Sequence, residues 1–525
     1  MIEDHPNRKW WTLFAMCFAL FMIMLDNTVV NVALPSIQRA LRTTPENLEW
    51  TINAYVLTFA GFILLGGKLG DRFGRKRLFL VGLTVFTASS AACALSSTDT
   101  QLIASRVVQG VGAAFLNPLS LSILVSAFPR KQLPTAIGIW AGISGLGLAI
   151  GPLLGGFLVQ NVSWSAVFWI NVPIGIVAFA VTIWAVIESR DPSAKHIDIV
   201  GTLLVTGGLF ALTWGLIKTD SHSWTSPYII GFLALAAVLL VGFVVWELRQ
   251  SDPMIPLGFF RKPAFSISSL VVLMVGVAMF GVIYFITLYF QNIHGYSPQQ
   301  AGLRSLPLTA MVVLVAPIAG RLNGRVGPRP LMTIGMAGMA LGLLGLAQIG
   351  VDTNYLYLIP MFLVMGAGIS MTMPSVTSAA MGSVDPTKAG IASGVVNSSR
   401  QVGGALGVAV FGSIAATLAS DSWSSSISKL PAAAHAGAAR LTPLVIGGQT
   451  AKIGHIATAT SGAVAGKVAS DDAAAAFMHG FHGAMYAGAL MAAAASVTAF
   501  VGLRNVRVRQ PQEQQAEQPM AAVEM

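Results

Sequence analysis

The chain has 525 residues, of which 54% are hydrophobic and only 10% charged, with 54 glycines besides. Ordinary soluble domains carry about 25% charged residues, and a soluble core cannot hide so much apolar surface, so the mean hydropathy of +0.71 excludes an ordinary soluble fold. The formal net charge of +10 comes from basic residues set between apolar runs, which makes it a topology signal rather than a nucleic-acid surface.

The apolar runs are about 20 residues long, the length of a membrane-crossing helix rather than of a barrel strand. Helices and closed barrels are the structures that satisfy their own backbone in lipid. In chain order the runs fall at 10–34, 50–69, 77–97, 102–127, 134–158, 165–187, 198–218, 227–247, 265–290, 301–321, 330–350, 355–378, 389–416 and 478–502. This predicts an all-α integral membrane protein with fourteen spans. The first run follows Arg8 and Lys9 as a signal sequence would, but Asp26 interrupts it and no small-residue cleavage site closes it. It therefore reads as a retained span. With the N-terminus inside, the inside segments hold 21 Lys and Arg and the outside segments seven. That bias predicts both termini in the cytoplasm. Cys17 and Cys93 fall inside apolar runs and imply neither a disulfide nor a metal site. Residues 419–477 are rich in Ala, Gly, Ser and Thr and are expected to form a mobile outer loop with at most a short helix. The polar tail 510–525 is expected to be disordered.

The chain also repeats itself. Gly110, Gly112 and Pro118 in the fourth run match Gly366, Gly368 and Pro374 in the twelfth at a constant offset of 256. Gly138, Gly147, Gly151 and Gly156 match Gly394, Gly403, Gly407 and Gly412 at the same offset. An offset of eight spans keeps the orientation, so the halves are parallel repeats about an axis along the membrane normal. This predicts a six-span bundle over 1–190, two inserted spans over 191–250 and a second six-span bundle over 251–509.

Asp26 is the acid placed well inside a span, toward its outer end. Burial in lipid disfavours a charged carboxylate, so an intramembrane acid is a functional candidate by default; its bland alternative is an interfacial or helix-pairing acid. Arg106, near the outer start of the fourth span, is its natural partner, unless it only anchors the helix at the interface. Glycines permit close helix approach and Pro152 removes a backbone donor, so 147–156 is a packing face. Asn397, Arg400 and Gln401 form a polar group in the thirteenth span that suits a central cavity, or equally an Arg held by backbone carbonyls. Asn27, Tyr55, Asn117, Trp140 and Tyr284 are candidate substrate contacts, although aromatics in spans more often pack. His479 and His482 stand three residues apart, a spacing that fits interface polarity better than a metal pair.

The stretch 67–76, with Gly67, Asp71, Arg72, Gly74 and Arg75, resembles the loop-2/3 signature of the major facilitator superfamily. The run 106–110 resembles its span-4 motif, and Gly138 with Gly147, Gly151, Pro152, Gly155 and Gly156 resembles the span-5 motif of its antiporters. The run 25–35 is similar to the span-1 motif of the fourteen-span drug:proton antiporters. The resemblance implies a major facilitator fold: two six-helix bundles and two inserted helices. It implies proton coupling through Asp26 and Arg106 and a leak seal in the fifth span. It also implies a latch in which Asp71 faces the N-terminus of a second-half helix, by repeat register near Lys388. The family's Trp-Arg pair before the sixth span is Trp164-Ser165 here.

The expected function is export of lipophilic or cationic drugs and antibiotics across the bacterial inner membrane in exchange for protons. The protein is expected to be a monomer in the lipid bilayer, with no cofactor, no metal, no nucleic-acid partner and no enzymatic activity. One proton crossing about 150 mV supplies roughly 3.5 kcal/mol, enough for a gradient of at most a few hundredfold. Two alternatives stay open: an exporter of another cargo (metabolite, siderophore, amino acid or lipid), and a membrane sensor without transport.

Overall fold

The computed structural model describes residues 7–129, 132–190, 198–220, 222–250, 253, 255–384, 389–428, 432–461 and 463–504. The N-terminal half holds α1 (Arg8–Leu41), α2 (Pro45–Phe73), α3 (Arg75–Ala94), α4 (Asp99–Ala127), α5 (Leu133–Asn161), α6 (Ala166–Trp169) and α7 (Asn171–Ala185). Next come α8 (Ile199–Ile217) and α9 (Pro227–Arg249). The C-terminal half holds α10 (Pro263–Leu288), α11 (Pro298–Arg304), α12 (Leu306–Val326), α13 (Pro328–Leu346), α14 (Tyr355–Gly382) and α15 (Ala389–Ile427). It closes with α16 (Ala432–Ala439), α17 (Thr442–Ile446), α18 (Thr450–Ser461) and α19 (Ala463–Gly502). Among the described residues twelve helices are long and apolar enough to cross a membrane, or thirteen when α2, bent by 49°, is taken as one span.

Local chemistry sets the helix ends. Thr44 caps α2 by accepting from Asn47 N, with Pro45 in the first turn. Thr98 caps α4 through Gln101 N. Ser297 and Gln300 form a reciprocal capping box at α11. These caps satisfy amide donors that a helix start leaves open. Asp99 then ties two helix starts together, accepting from Thr43 Oγ1 at 2.8 Å and from Asn47 Nδ2 at 2.6 Å.

The repeat is visible as packing. In the first half α1 packs on α5 and α7, α2 on α4, and α3 on α4 and α7; in the second half α10 packs on α15 and α19, α12 on α14, and α13 on α14 and α19. Gly112 lies against Gly82 O and Phe86 N, and Gly368 lies against Gly335 O and Met339 N. Gly110 lies against Tyr55 O and Thr58, and Gly366 against Leu308 O and Met311. Backbone carbonyls fill the space a Cβ would need, so only glycine allows these crossings. Helix α9 stands on the outside, with Ile230, Val238, Val241 and Leu248 more than half exposed, a lipid-facing surface. Its partner α8 packs on α2 and α15 and so touches both halves.

Two expectations change. The segment 419–477 is helical for most of its length, because α15 continues to Ile427 and α16, α17, α18 and the first turns of α19 follow. It has its own apolar cluster of Trp423, Ile427, Val445, Ile453, Ala473 and Ala476. The low hydropathy of Ala, Gly and Ser marks a segment unsuited to lipid, but alanine is the strongest helix former. The expected disorder of 510–525 lies outside the described residues.

The loop between α2 and α3 turns on Gly74, at φ +115°. The Glu188 carboxylate accepts from Lys76 N at 3.0 Å and Arg77 N at 3.1 Å, so it caps the start of α3. A Cβ on Gly74 would stand 2.9 Å from the Glu188 carboxyl carbon. Gly74→Ala is therefore expected to cost about 1–3 kcal/mol, read as a lowered Tm in detergent. Gly231→Ala on α9, where nothing lies within 4 Å, serves as the neutral control.

Candidate functional site

Asp26 sits at the middle of α1, not toward its outer end, because α1 begins at Arg8 and runs on to Leu41. Its side chain is fully buried. Oδ2 accepts from Arg106 Nη1 at 2.5 Å, and Oδ1 accepts from Gln109 Nε2 at 3.1 Å and Asn171 Nδ2 at 3.2 Å. Arg106 is equally enclosed, at 1% exposure. It donates through Nε to Thr51 O at 3.0 Å and through Nη1 to Gln109 Oε1 at 2.8 Å. Its guanidinium lies 4.1 Å above the Tyr55 ring. A second layer follows, since Asn171 Nδ2 also donates to Ser90 Oγ, which donates to Phe168 O. Helices α1, α4 and α7 thus meet on the carboxylate itself, and α2 and α3 join through Arg106 and Asn171. A pair this deep survives because its remaining lone pairs and protons are matched.

Among the described residues the second half has no such pair. Gly403 against Leu273 O repeats Gly147 against Phe21 O, and Gly281 against Phe411 repeats Val29 against Gly155 with large and small exchanged. Continued in that register, α10 carries Ala278 where Asp26 stands, and α14 carries Phe362 where Arg106 stands. The acid and its arginine thus have no charged counterparts at the matching positions of the second bundle.

Helix α1 shows its other face to the bundle interface. Thr28, two residues from Asp26, is rotated by about 200° around the helix. Thr28 and Val32 line an apolar cavity of about 30 Å³ with Pro152 of α5, Met279 and Ile283 of α10, and Val312 and Ile369 of the second half. Val312 and Ile369 also border a larger space of about 570 Å³ between α12 and α14, lined by Ser370, Met373, Pro374 and Met381. Apolar and flexible methionine walls suit lipophilic ligands.

Beyond that cavity the far end of the molecule, opposite the basic α2–α3 loop, is shut. A Cβ on Gly151 or Gly155 would strike Thr28 or Val29 of α1. A Cβ on Gly156 would be 2.5 Å from Pro298 O, and one on Gly302 would be 2.2 Å from Pro152 O. The span-5 glycines therefore clamp α5 between α1 and α11. Gln291 Nε2 adds a bond to Val32 O at 2.8 Å. Gly412 meets the Glu49 carboxylate across α2 and α15.

Nearer the middle Asn397 Nδ2 donates to Asn117 Oδ1 at 2.9 Å, and Arg400 Nη2 donates to Asn397 Oδ1 at 2.9 Å. Three of the candidate substrate residues thus form one bridge between the bundles. The others do not join it. Tyr55 lies under Arg106 and Tyr284 is buried in α10. Asn27 and Gln401 are buried with amide atoms lacking partners. Trp140 Nε1 donates to Ser120 Oγ at 3.2 Å. None of the five lines either cavity.

In the α2–α3 loop Asp71 pairs with Arg75 of its own turn at 2.7 Å. The anion that caps α3 is Glu188. Arg72 lies over the Phe73 ring, and Gly67 packs on Pro118. Lys388, the expected neighbour of Asp71, lies outside the described residues. His482 Nε2 is bonded to Ile349 O at 2.6 Å. No three His, Cys, Asp or Glu side chains gather as a metal site among the described residues. Sequence reasoning assigned no role to Gln109, Asn171 or Thr51, though Gln109 stands in the run 106–110. It also took Asp26 as the acid inside a span, whereas Glu49 and Glu247 are buried in helices too.

Comparison with known proteins adds the lineage. The model of the Major Facilitator Superfamily matches residues 16–408. The Tetracenomycin C resistance and export protein of Streptomyces glaucescens is 37% identical over 79% of this chain and 77% of its own. The Multidrug resistance protein Stp of Mycobacterium tuberculosis is 37% identical over 77% and 75%. The Puromycin resistance protein pur8 of Streptomyces alboniger is 36% identical over 78% and 83%. Among solved structures, a bacterial homolog of the human lysosomal transporter Spinster, inward-facing and unoccupied, superposes with a TM-score of 0.64. That match is 17% identical and covers 95% of this chain and 98% of that one.

Proposed function

The chain belongs to the major facilitator superfamily, and from that premise we propose that it exports antibiotics and other lipophilic small molecules across a bacterial cell membrane in exchange for protons. The observation that carries the reading is the sealed Asp26–Arg106 pair in the first bundle. The relatives named for tetracenomycin C, multidrug and puromycin resistance support the cargo class, and the apolar cavities agree with it. Counting the helix α5 with the thirteen others gives fourteen spans and both ends on the basic side, which the positive-inside rule places in the cytoplasm.

In this reading α1 is the shared part. One face holds the proton acceptor, and the other lines the cavity and supports the far-end clamp. Protonation of Asp26 removes the anion that holds Arg106, so the ties from α4 and α7 to α1 loosen. Helix α1 is then free to shift against α5, and the clamp at Gly151 and Gly155 opens outward. Deprotonation toward the cytoplasm restores the pair and the seal. Substrate enters the apolar space from the basic side.

The test is uptake into inside-out vesicles under an imposed proton gradient, with a panel of tetracenomycin C, puromycin and a lipophilic cation. Wild-type vesicles accumulate at least one member and lose it when the gradient is collapsed, whereas Asp26→Asn vesicles do not. Equal movement in both sinks coupling through Asp26. A panel left still while a metabolite moves sinks the cargo assignment.

A further inference from the structure

The inserted helices carry two buried acids that this transport scheme does not use. Asp198 caps α8 at the basic end, where its Oδ1 accepts from Gly201 N at 2.7 Å and from Trp246 Nε1 at 2.8 Å. Glu247, in the last turn of α9, accepts through Oε2 from Ile255 N at 3.3 Å. Asp198 is 9% exposed and Glu247 2%. The remaining oxygens, Asp198 Oδ2 and Glu247 Oε1, have no donor. Yet the two carboxyl groups are within hydrogen-bonding reach of each other. Gly201 leaves the room for this, since a Cβ there would stand 2.1 Å from Asp198 Oδ2.

Two buried carboxylates at hydrogen-bonding range cannot both stay ionised without strong repulsion, whereas one proton between them turns the repulsion into a hydrogen bond. That proton supplies the donor both oxygens lack. The charged group acting on Glu247 from the neighbouring helix is Lys68 at the end of α2. Lys68 Nζ donates to Pro253 O at 3.5 Å, so it too is directed to the connector after α9.

We propose that Asp198 and Glu247 share a single proton, forming a second proton-binding site, and that this acid clasp holds the connector between the inserted helices and the second bundle. The connector runs from Ile255 through the turn Leu257–Arg261 to Lys262, whose Nζ donates to Ser383 O at the end of α14. Loss of the proton sets two anions against each other and frees the Ile255 amide. Alkaline conditions at the basic end therefore loosen the joint between the halves. Placing that end in the cytoplasm rests on the orientation proposed above, but the clasp itself does not, and it is separate from the Asp26 pair.

The test uses the full-length protein in lipid nanodiscs and follows backbone deuterium exchange over 255–262 from pH 6 to 9, corrected for intrinsic rates. Wild type shows protection that falls, above the release point, by roughly tenfold per pH unit, the slope of one proton. Glu247→Gln keeps the protection across the range, because its amide donates to Asp198 at any pH. Asp198→Asn offers the reciprocal donor and behaves alike. A wild-type slope in both variants, or exchange that is fast in both at every pH, overturns the proposal. So does protection that follows added sodium or potassium rather than pH, which would mark a metal-cation site. An infrared difference between wild type and Glu247→Gln at neutral pH shows a protonated carboxyl band, and its absence also overturns the clasp.

Discussion

Gradient-driven export is expected to vanish in Asp26→Asn, and the protein is expected to lose stability at the same time. The asparagine still accepts a hydrogen bond, but the Arg106 guanidinium stays 1% exposed with no counter-charge. Breaking one side of a buried pair costs about 3–5 kcal/mol, much of it the penalty of the charge left behind. Loss of export alone is therefore ambiguous. The double variant Asp26→Asn with Arg106→Gln separates the causes, since it removes both charges and leaves groups that hydrogen-bond to Gln109 and Thr51 O. Its Tm in detergent is expected to recover most of the loss, while proton-driven uptake stays at background. Uptake by the double variant would show that Asp26 is a structural acid. A Tm unchanged in the single variant would show that the pair is not sealed as its geometry indicates.

The second large effect is expected at the far-end clamp. Gly302→Ala or Gly156→Ala puts a Cβ 2.2 Å from Pro152 O or 2.5 Å from Pro298 O. The obstacle is backbone, so no rotamer change relieves it and α5 must part from α11. Overpacking of this kind costs about 1–3 kcal/mol, and each 1–2 kcal/mol shifts a two-state ratio by about 5–30-fold. The closed state carries the cost, so the population moves toward one open at the far end. Labelling of Val32→Cys by an impermeant thiol reagent reads this directly, after the buried Cys17 and Cys93 are replaced by alanine. The reaction is expected to speed up about tenfold or more in either glycine variant. It is expected to be unchanged in Gly320→Ala, where nothing lies within 4 Å. Unaltered labelling in a folded Gly302→Ala protein would remove the clamp from the transport cycle.

Much of this architecture is legible in one dimension. Run length and hydropathy report where lipid replaces water, and the long helices follow them with extensions, at both ends in α1 and at the C-terminal end in α15. The constant glycine offset is a record of helix crossings. It reappears as Gly112 on Gly82 and Gly368 on Gly335, because a carbonyl packed against a missing side chain leaves no tolerance for another residue. An acid and a base inside apolar runs announced themselves by cost alone.

The sequence by itself determined a helical membrane protein with a repeated plan, a buried acid and a glycine-lined packing face. The structure decided which groups share that acid. Arg106 lies 80 positions away and Asn171 lies 145, and no periodicity links residues brought together only by bundle closure. The same reason explains the cap of α3, where Glu188 meets Lys76 N from 112 positions away. It also explains the helical segment after 419, whose apolar side chains find partners only when folded. Hydropathy and spacing are properties of a stretch of chain, whereas charge pairing and sealing are properties of the distances between stretches.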